Sequence, residues 1–118
     1  MANISATSNE GVLNRPAYNW ETVTENDTPV AQRIEGGKYT CTVEKGNNGA
    51  GSFGGGSIEF QYSKTGNDYH SIDITNLSFS SSGSFNIEVG RGYVKPVRTG
   101  GSSMDLDVFL TPIPEVNS

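Results

Sequence analysis

The chain has 118 residues, a single cysteine and a net charge of −5 at pH 7. This length suits one domain, and the lone Cys41 excludes an intrachain disulfide. The acidic balance disfavours general binding to nucleic acids or anionic membranes, because both present negative charge. No apolar run is long enough to cross a bilayer. The first residues lack the basic and apolar regions of a signal peptide, so we expect synthesis in a reducing cytoplasm.

The apolar content predicts a thin core. Leu, Ile, Val and Phe make up about a fifth of the chain, close to the level of about 20% below which highly charged chains stay unfolded. A small domain buries a limited share of its surface, and contacts between subunits are a common way to bury more. We therefore expect a small homo-oligomer.

Residues 1–17 differ from the rest because their apolar positions show no period. The scattered side chains of Ile4, Val12 and Leu13 are too few to pack alone. We predict a flexible N-terminal arm that becomes ordered along a partner, although a frayed terminus fits the same pattern. Residues 18–118 then form a single domain.

Short runs of alternating polar and apolar residues follow from there. In KYTCTVEK, the apolar residues Tyr39, Cys41 and Val43 alternate with polar ones, which is the period of a half-buried strand. The alternation recurs in SIEFQYSK, SFNIEVG and MDLDVFLT, and more weakly in YNWETVT, TPVAQRI, YHSIDIT and LSF. No segment has a helical period. About eight such strands predict an all-β protein, an antiparallel β-sandwich or jelly roll with an extended N-terminal arm.

The glycine-rich segment GNNGAGSFGGG fits the dinucleotide pattern G-x-G-x-x-G between Gly49 and Gly54. That pattern binds phosphate where a strand ends and a helix begins. Here another strand follows, SIEFQYS, and three glycines precede it, so nucleotide binding is strongly disfavoured. We interpret the segment as a long, flexible hairpin connection, with Phe53 held at its tip as a possible contact residue.

The segment GYVKPVRT is irregular because Pro96 cannot donate a ladder hydrogen bond, which predicts a sheet edge or a bulge. Arg91, Lys95 and Arg98 cluster around it. Cations on an edge strand commonly block unwanted pairing. The alternative interpretation is a patch for an acidic partner.

The residues that catalysis requires do not assemble in this sequence. His70 and Ser71 are strand neighbours that point to opposite faces, and Cys41 alternates with apolar residues as an inert thiol does. Asp105 and Asp107 share a strand face without the spacing of a calcium loop. We therefore predict no catalytic residue, no metal ligand and no cofactor, hence a protein that is not an enzyme.

The aromatic residues offer a further possibility. Trp20 and Tyr62 fall on apolar strand faces and are expected in the core, whereas Tyr69 and Tyr93 are freer. Exposed tyrosines stack on sugars, so a glycan-binding surface formed by Tyr69, Tyr93 and the Gly46–Gly56 loop is the alternative to a purely structural role.

The order of features resembles a group of small bacteriophage virion proteins. The shared pattern is a Y-x-W segment, a G-G-x-Y-x-x-x-V strand, a glycine-rich loop leading into S-x-x-x-Q-Y-S, a G-x-x-x-x-x-I/V-D hairpin, a G-S-x-x-V-E-V-G-x-G-x-V stretch and a final L-x-V-x-L-x-P. In this chain the corresponding segments are Tyr18–Trp20, Gly36–Val43, Ser57–Ser63, Gly66–Asp73, Gly83–Val94 and Leu106–Pro112.

The resemblance implies a virion structural protein made in the host cytoplasm. Such proteins are β-rich, often trimeric and without catalytic residues. A capsid decoration, or cement, protein bound to the major capsid protein or other virion proteins is the first hypothesis. A tail or fibre component, or a carbohydrate- or receptor-binding module, is the alternative. The predicted partner-contact residues are Ile4, Val12, Leu13, Phe53, Tyr69, Arg91, Tyr93, Lys95 and Arg98.

Overall fold

In the computed structural model of the chain, residues 2–4, 6–12, 15–24, 26–72 and 78–113 are described. They form twelve strands, a short 3-10 turn at Asn47–Gly49 and no α-helix. No helix in these ranges could cross a membrane. The strands are β1 (Ala2–Ile4), β2 (Thr7–Val12), β3 (Arg15–Val23), β4 (Asp27–Pro29), β5 (Gln32–Ile34), β6 (Gly37–Lys45), β7 (Ser57–Ser63), β8 (His70–Ser71), β9 (Ser78–Phe79), β10 (Gly83–Val89), β11 (Gly92–Thr99) and β12 (Leu106–Pro112).

Two antiparallel sheets pack against each other. The first sheet has the order β10-β6-β12-β3-β2, and the second has the order β5-β11-β7-β8, with β9 also beside β7. A parallel pair, β1 and β4, lies outside both sheets. The prediction of an all-β antiparallel sandwich is confirmed. The two sheets contain ten strands in the described residues, somewhat more than the sequence predicted.

Strand alternation explains how the sheets enclose the core. In β6, Tyr39, Cys41 and Val43 are buried while the threonines between them are half-exposed. β7 and β12 repeat this pattern, with Ile58 and Phe60 buried in one and Leu106, Val108 and Leu110 in the other. Each sheet therefore presents one apolar face to the other, and burial of these faces is the main stabilising contribution.

Aromatic side chains contribute to this core. The rings of Phe79 and Phe85 stack with centroids 4.8 Å apart, and Phe60 meets each of them edge-on at 6.1 Å. Trp20 is fully buried, and its indole N–H donates to the carbonyl oxygen of Val30 at 2.9 Å. That bond satisfies the polar atom that a buried indole would otherwise leave unpaired.

β11 as a whole is not an edge strand, but the half that holds Pro96 has an open side, so the sequence interpretation applies to that half only. β11 lies inside the second sheet, between β5 and β7. β7 pairs with all of β11, whereas β5 pairs only with Gly92–Val94. The side of β11 beside Pro96 therefore has no ladder partner among the described strands, and a residue without an N–H is tolerated there.

The first residues of the chain form strands at the periphery of the sandwich. β2 pairs antiparallel with β3, with Ser8 opposite Tyr18, and β1 pairs with β4. The predicted boundary between residues 17 and 18 falls inside β3, which begins at Arg15. The sequence did not reveal these strands, and the division into an arm and a body stays a prediction.

Residues 46–56 are packed against the loop before β12, which corrects their interpretation as a flexible connection. The Gly46 amide donates to the Asp105 carbonyl oxygen at 2.9 Å, and the Asp105 amide donates to the Ser52 carbonyl oxygen at 2.8 Å. Phe53, expected as a surface contact, is a core residue with 5% exposure. The glycines allow the backbone to fold back closely enough for this ring to reach the core.

Candidate functional site

The outer face of the second sheet collects tyrosine and cationic side chains from several strands. Val94 is buried, so its neighbours Tyr93 and Lys95 point outward by strand alternation. Arg33 of β5 lies opposite Tyr93. Gln61 of β7 lies opposite Lys95. We name this surface the tyrosine face, defined by Arg33, Gln61, Tyr69, Tyr93 and Lys95.

Tyr69 reaches this face from the loop before β8. Ser71 pairs with Gln61, so Tyr69, two residues earlier, falls on the same side of the sheet. The Nζ atom of Lys95 lies 4.1 Å from the centroid of the Tyr69 ring, which is a cation–π contact. Burial and the neighbouring Tyr93 raise the pKa of the Tyr69 hydroxyl. At neutral pH the hydroxyl is therefore a hydrogen-bond donor as well as an acceptor.

The Tyr93 ring rests on the turn that follows β7. Gly66, in this turn, has a φ of +86°, a conformation that favours glycine. A β-carbon at Gly66 would lie 3.1 Å from the Tyr93 ring, so the two are in close contact. The Gly66 amide donates to the Ser63 hydroxyl at 2.8 Å, which fixes the turn to β7. The ring of Tyr93 is thus supported from one side.

The carboxylate of Glu59 lies on the same side of β7 as Gln61, and both of its oxygens accept hydrogen bonds. The Ser71 hydroxyl donates to Oε2 at 2.5 Å, and the Gln61 amide donates to Oε1 at 3.3 Å. These bonds hold the carboxylate against β7 and β8. The Glu59 carboxylate therefore has Ser71 and Gln61 as its hydrogen-bond partners, whereas Lys95 contacts the Tyr69 ring.

These groups are suited to binding a ligand. The tyrosine rings offer flat apolar surface, and the cations and the amide beside them offer directed hydrogen bonds. Lys95 also borders a shallow cleft of about 130 Å³ between β4 and β11, which is below the roughly 300–1,000 Å³ of typical small-molecule pockets. In the ranges that the structure describes, no group of three His, Cys, Asp or Glu residues could hold a metal ion.

The other two cations of this region, Arg91 just before β11 and Arg98 within it, make separate local contacts. The Arg91 Nη2 atom lies 3.2 Å from Glu35 Oε1 in an exposed ion pair, a kind that contributes little to stability. Arg98 donates to the carbonyl oxygens of Asp27 at 3.2 Å and Gly100 at 2.8 Å, which connects β11 to β4. Each of the three cations thus has its own surroundings, and their role as a partner patch stays a prediction.

The residues considered for catalysis are far from a reactive arrangement. His70 is exposed, and its ring lies edge-on to Tyr62 with centroids 6.0 Å apart. Its Nδ1 atom is 3.1 Å from the Ser71 carbonyl oxygen. Cys41 is fully buried, and this burial raises the pKa of the thiol. A buried neutral thiol is a poor nucleophile, as the sequence interpretation of Cys41 expected.

Three predicted contact residues belong to the N-terminal segment. The backbone of Ile4 lies in β1 opposite Pro29, and that of Val12 lies in β2 opposite Arg15. Leu13 lies outside the described residues. β1 and β2 are not strands of the second sheet, which carries the tyrosine face.

The sequence interpretation named Tyr69, Tyr93 and Lys95 but missed Arg33 and Gln61. Alternation in SIEFQYSK already put Gln61 on the outer face of its strand. The missing information was the order of strands in the sheet, which places β7 and β5 on either side of β11. No short motif in the sequence records that order.

No protein-family model matches the chain, and neither the curated proteins nor the solved structures include a match. The functional inference therefore depends on the residues of the chain itself.

Proposed function

We propose that the chain is a non-enzymatic structural protein of a phage virion, specifically a capsid decoration protein that binds the shell as a homotrimer. The strand and turn pattern resembles that of small virion proteins, and a β-sandwich suits that class. The partners are then the major capsid protein or other virion proteins, and the protein is located in the virion. Groups suited to binding lie on an open sheet face, which supports a role in contact.

The observation that carries this proposal is the peripheral position of the N-terminal strands. β2 is the last strand of the first sheet and pairs only with β3 among the described strands. The fully buried residues of the described core run in sequence from Trp20 to Leu110, and Ala6 of the N-terminal segment packs against them. An outer strand that pairs with one neighbour only is able to pair with the edge of a neighbouring subunit, as in strand exchange. This arrangement supports assembly through the N-terminal segment.

Two measurements test this proposal. Light scattering of the purified protein should give three times the 12.6 kDa mass of one chain. Antibodies against the chain, detected with gold particles on purified virions of the phage that encodes it, should label the head at many sites. A monomer at micromolar concentration, together with unlabelled virions, would contradict the proposal.

The same labelling separates the alternatives. Gold confined to the tail would favour a tail or fibre component. A carbohydrate- or receptor-binding module has a specific observation in its favour, since the tyrosine face combines aromatic rings with cations. The test of such a module is whether the purified protein binds a carbohydrate, because its location in the virion does not decide this.

A further inference from the structure

We propose that the tyrosine face binds an anionic saccharide, a sugar chain that bears carboxylate or sulfate groups. This inference rests on the function as a carbohydrate-binding module and does not depend on where the protein is located. Tyr93 and Tyr69 would stack on the sugar rings, while Lys95 and Arg33 would pair with the acidic groups.

The first support is the exposure and the support of the two aromatic rings. Tyr69 and Tyr93 are half-buried, so each ring has one side against the protein and part of its surface in solvent. Gly66 backs Tyr93, and Lys95 lies over Tyr69. Rings that are already fixed lose little conformational freedom when a flat ligand stacks on them, and such preorganisation favours affinity.

The second support is the charge of the groups around these rings. Arg33 lies opposite Tyr93, and Lys95 lies two residues along the same strand on the same face. Neither cation forms a salt bridge within the described residues, whereas Arg91 pairs with Glu35. In a chain of net charge −5, two cations on one face that form no salt bridge with a described carboxylate are complementary to an anionic ligand.

The acidic residue of this face does not oppose that conclusion. Both oxygens of Glu59 accept hydrogen bonds from Ser71 and Gln61. Hydrogen bonds to a carboxylate stabilise its charge within the sheet and orient it toward those partners. Gln61 lies opposite Lys95 in the sheet, and its amide donates to Glu59.

Single-stranded nucleic acid also combines stacking bases with negative charge, but it needs a groove of many cations along its backbone. The tyrosine face supplies only two cations that form no salt bridge among the described residues, and the chain is acidic overall. A saccharide with separated acidic groups fits this charge better. Nucleic acid is therefore included as a competing ligand in the test.

The test is titration of the purified full-length protein by calorimetry and by amide NMR. The probes are a uronate hexasaccharide, a sulfated hexasaccharide, a neutral glucose hexasaccharide and an oligothymidylate, each at up to about 1 mM, the weak end of the affinity scale. We expect binding of one or both acidic saccharides at least about tenfold tighter than the neutral one. The uronate and sulfate probes show which acid the site takes. Amide shifts should centre on Tyr69, Tyr93 and Lys95.

The variants assign the binding to residues. Tyr93→Ala should weaken binding about tenfold or more, Lys95→Gln should weaken it and reduce its salt dependence, and Tyr93→Phe should retain most of it. Phe109→Ala, a half-buried aromatic on the outer face of the first sheet, is the matched control and should bind normally. If Tyr93→Ala fails to fold, Tyr93→Phe and Lys95→Gln still decide the question.

Several results would overturn this inference: equal binding of the neutral saccharide, tighter binding of the oligothymidylate, shifts centred elsewhere, or no binding of either acidic probe. All of these are distinct from failure of the decoration function, because they concern the protein in solution. A protein that binds no saccharide but labels the phage head would refute only the saccharide site. Saccharide binding by a protein absent from virions would refute only the decoration function.

Discussion

Gly51 lies directly against the carbonyl oxygen of Asp105. A β-carbon at position 51 would overlap that oxygen and would also lie 2.9 Å from the Gly46 amide nitrogen. The Gly51 amide meanwhile donates to the Gly46 carbonyl oxygen at 2.9 Å. The atoms that crowd this position all belong to the backbone, so no side-chain rotation can make room. The glycine-rich segment is therefore a sterically specified structure.

Gly51→Ala should destabilise the protein by about 1–3 kcal/mol, because overpacking forces the backbone to shift. The matched control is Gly90→Ala, where the nearest atom, the Tyr62 hydroxyl oxygen, would lie 3.6 Å from the new β-carbon. That control should stay within about 0.5 kcal/mol of the parent. Urea unfolding followed by the fluorescence of Trp20 measures both. Equal stability of the two variants would show that the segment is not packed in this way.

Phe53→Ala should lower the free energy of unfolding by about 3–5 kcal/mol, because it removes a buried ring and leaves a cavity. Phe53→Leu should cost less, at about 1–2 kcal/mol, because it keeps most of the apolar volume. Thermal unfolding by circular dichroism provides the comparison. If Phe53→Ala melted like the parent, the ring would be a surface group, as the sequence interpretation expected, and its 5% exposure would be wrong.

Stability should fall at alkaline pH because of Cys41. Burial raises the pKa of its thiol in the folded state, while the unfolded thiol titrates near its usual value of about 8.5. Below about pH 8.5 the thiol is protonated in both states, and the free energy of unfolding does not depend on its titration. Above that pH only the unfolded chain releases the proton. The free energy of unfolding therefore falls as the pH rises, by up to about 1.4 kcal/mol per pH unit.

Urea unfolding at pH 7.5 and at about pH 9.5, below the usual tyrosine range near 10, measures this loss. Cys41→Val, which keeps the position apolar and has no thiol, should show little of it between the two pH values. A parent protein with the same stability at both pH values would indicate that the thiol is accessible when folded.

Deletion of residues 1–12 should leave a protein that still unfolds cooperatively, at a lower temperature. The deletion removes β1, β2 and the half-buried Ala6, whereas the fully buried residues of the described core run in sequence from Trp20 to Leu110. Loss of the β2–β3 pairing accounts for the lower melting temperature. Under the decoration hypothesis, the truncated chain should also bind virions more weakly. A truncated chain that does not fold would show that these strands belong to the domain, and unchanged attachment would remove their role in assembly.

The strands that could be predicted are those whose period is recorded in their own side chains. β6, β7, β10 and β12 all alternate, and their positions follow from that alternation alone. β2, with the sequence TSNEGV, has no such period, and its position is given by its backbone pairing to β3. Backbone hydrogen bonds can be made by any residue except proline, so the residue types of a strand do not reveal them. Pro96 indicated an edge because it has no N–H to donate. An open side along its half of β11 is enough to accommodate it, although β5 pairs with the other half.

The tyrosine face could be predicted only in part. Tyr69 and Tyr93 were singled out because neither fits an apolar strand face, and the structure brings Lys95 onto the Tyr69 ring. The contact between these residues requires the pairing of β7 with both β8 and β11, which are distant in sequence. Phe53 shows the opposite case. Its polar, glycine-rich surroundings concealed a core residue, because the burial comes from loop packing and not from a strand period.

The position of β12 between β6 and β3 has a consequence for biosynthesis. The first sheet is joined by a strand that leaves the ribosome long after β3 has emerged. At about 5–20 residues per second, the apolar faces of the early strands remain for several seconds without their central partner. The nascent chain is exposed to chaperones and proteases during that time, and the first sheet closes only after β12 has emerged. A premature stop codon anywhere before residue 106 would leave β3 and β6 without the strand that connects them.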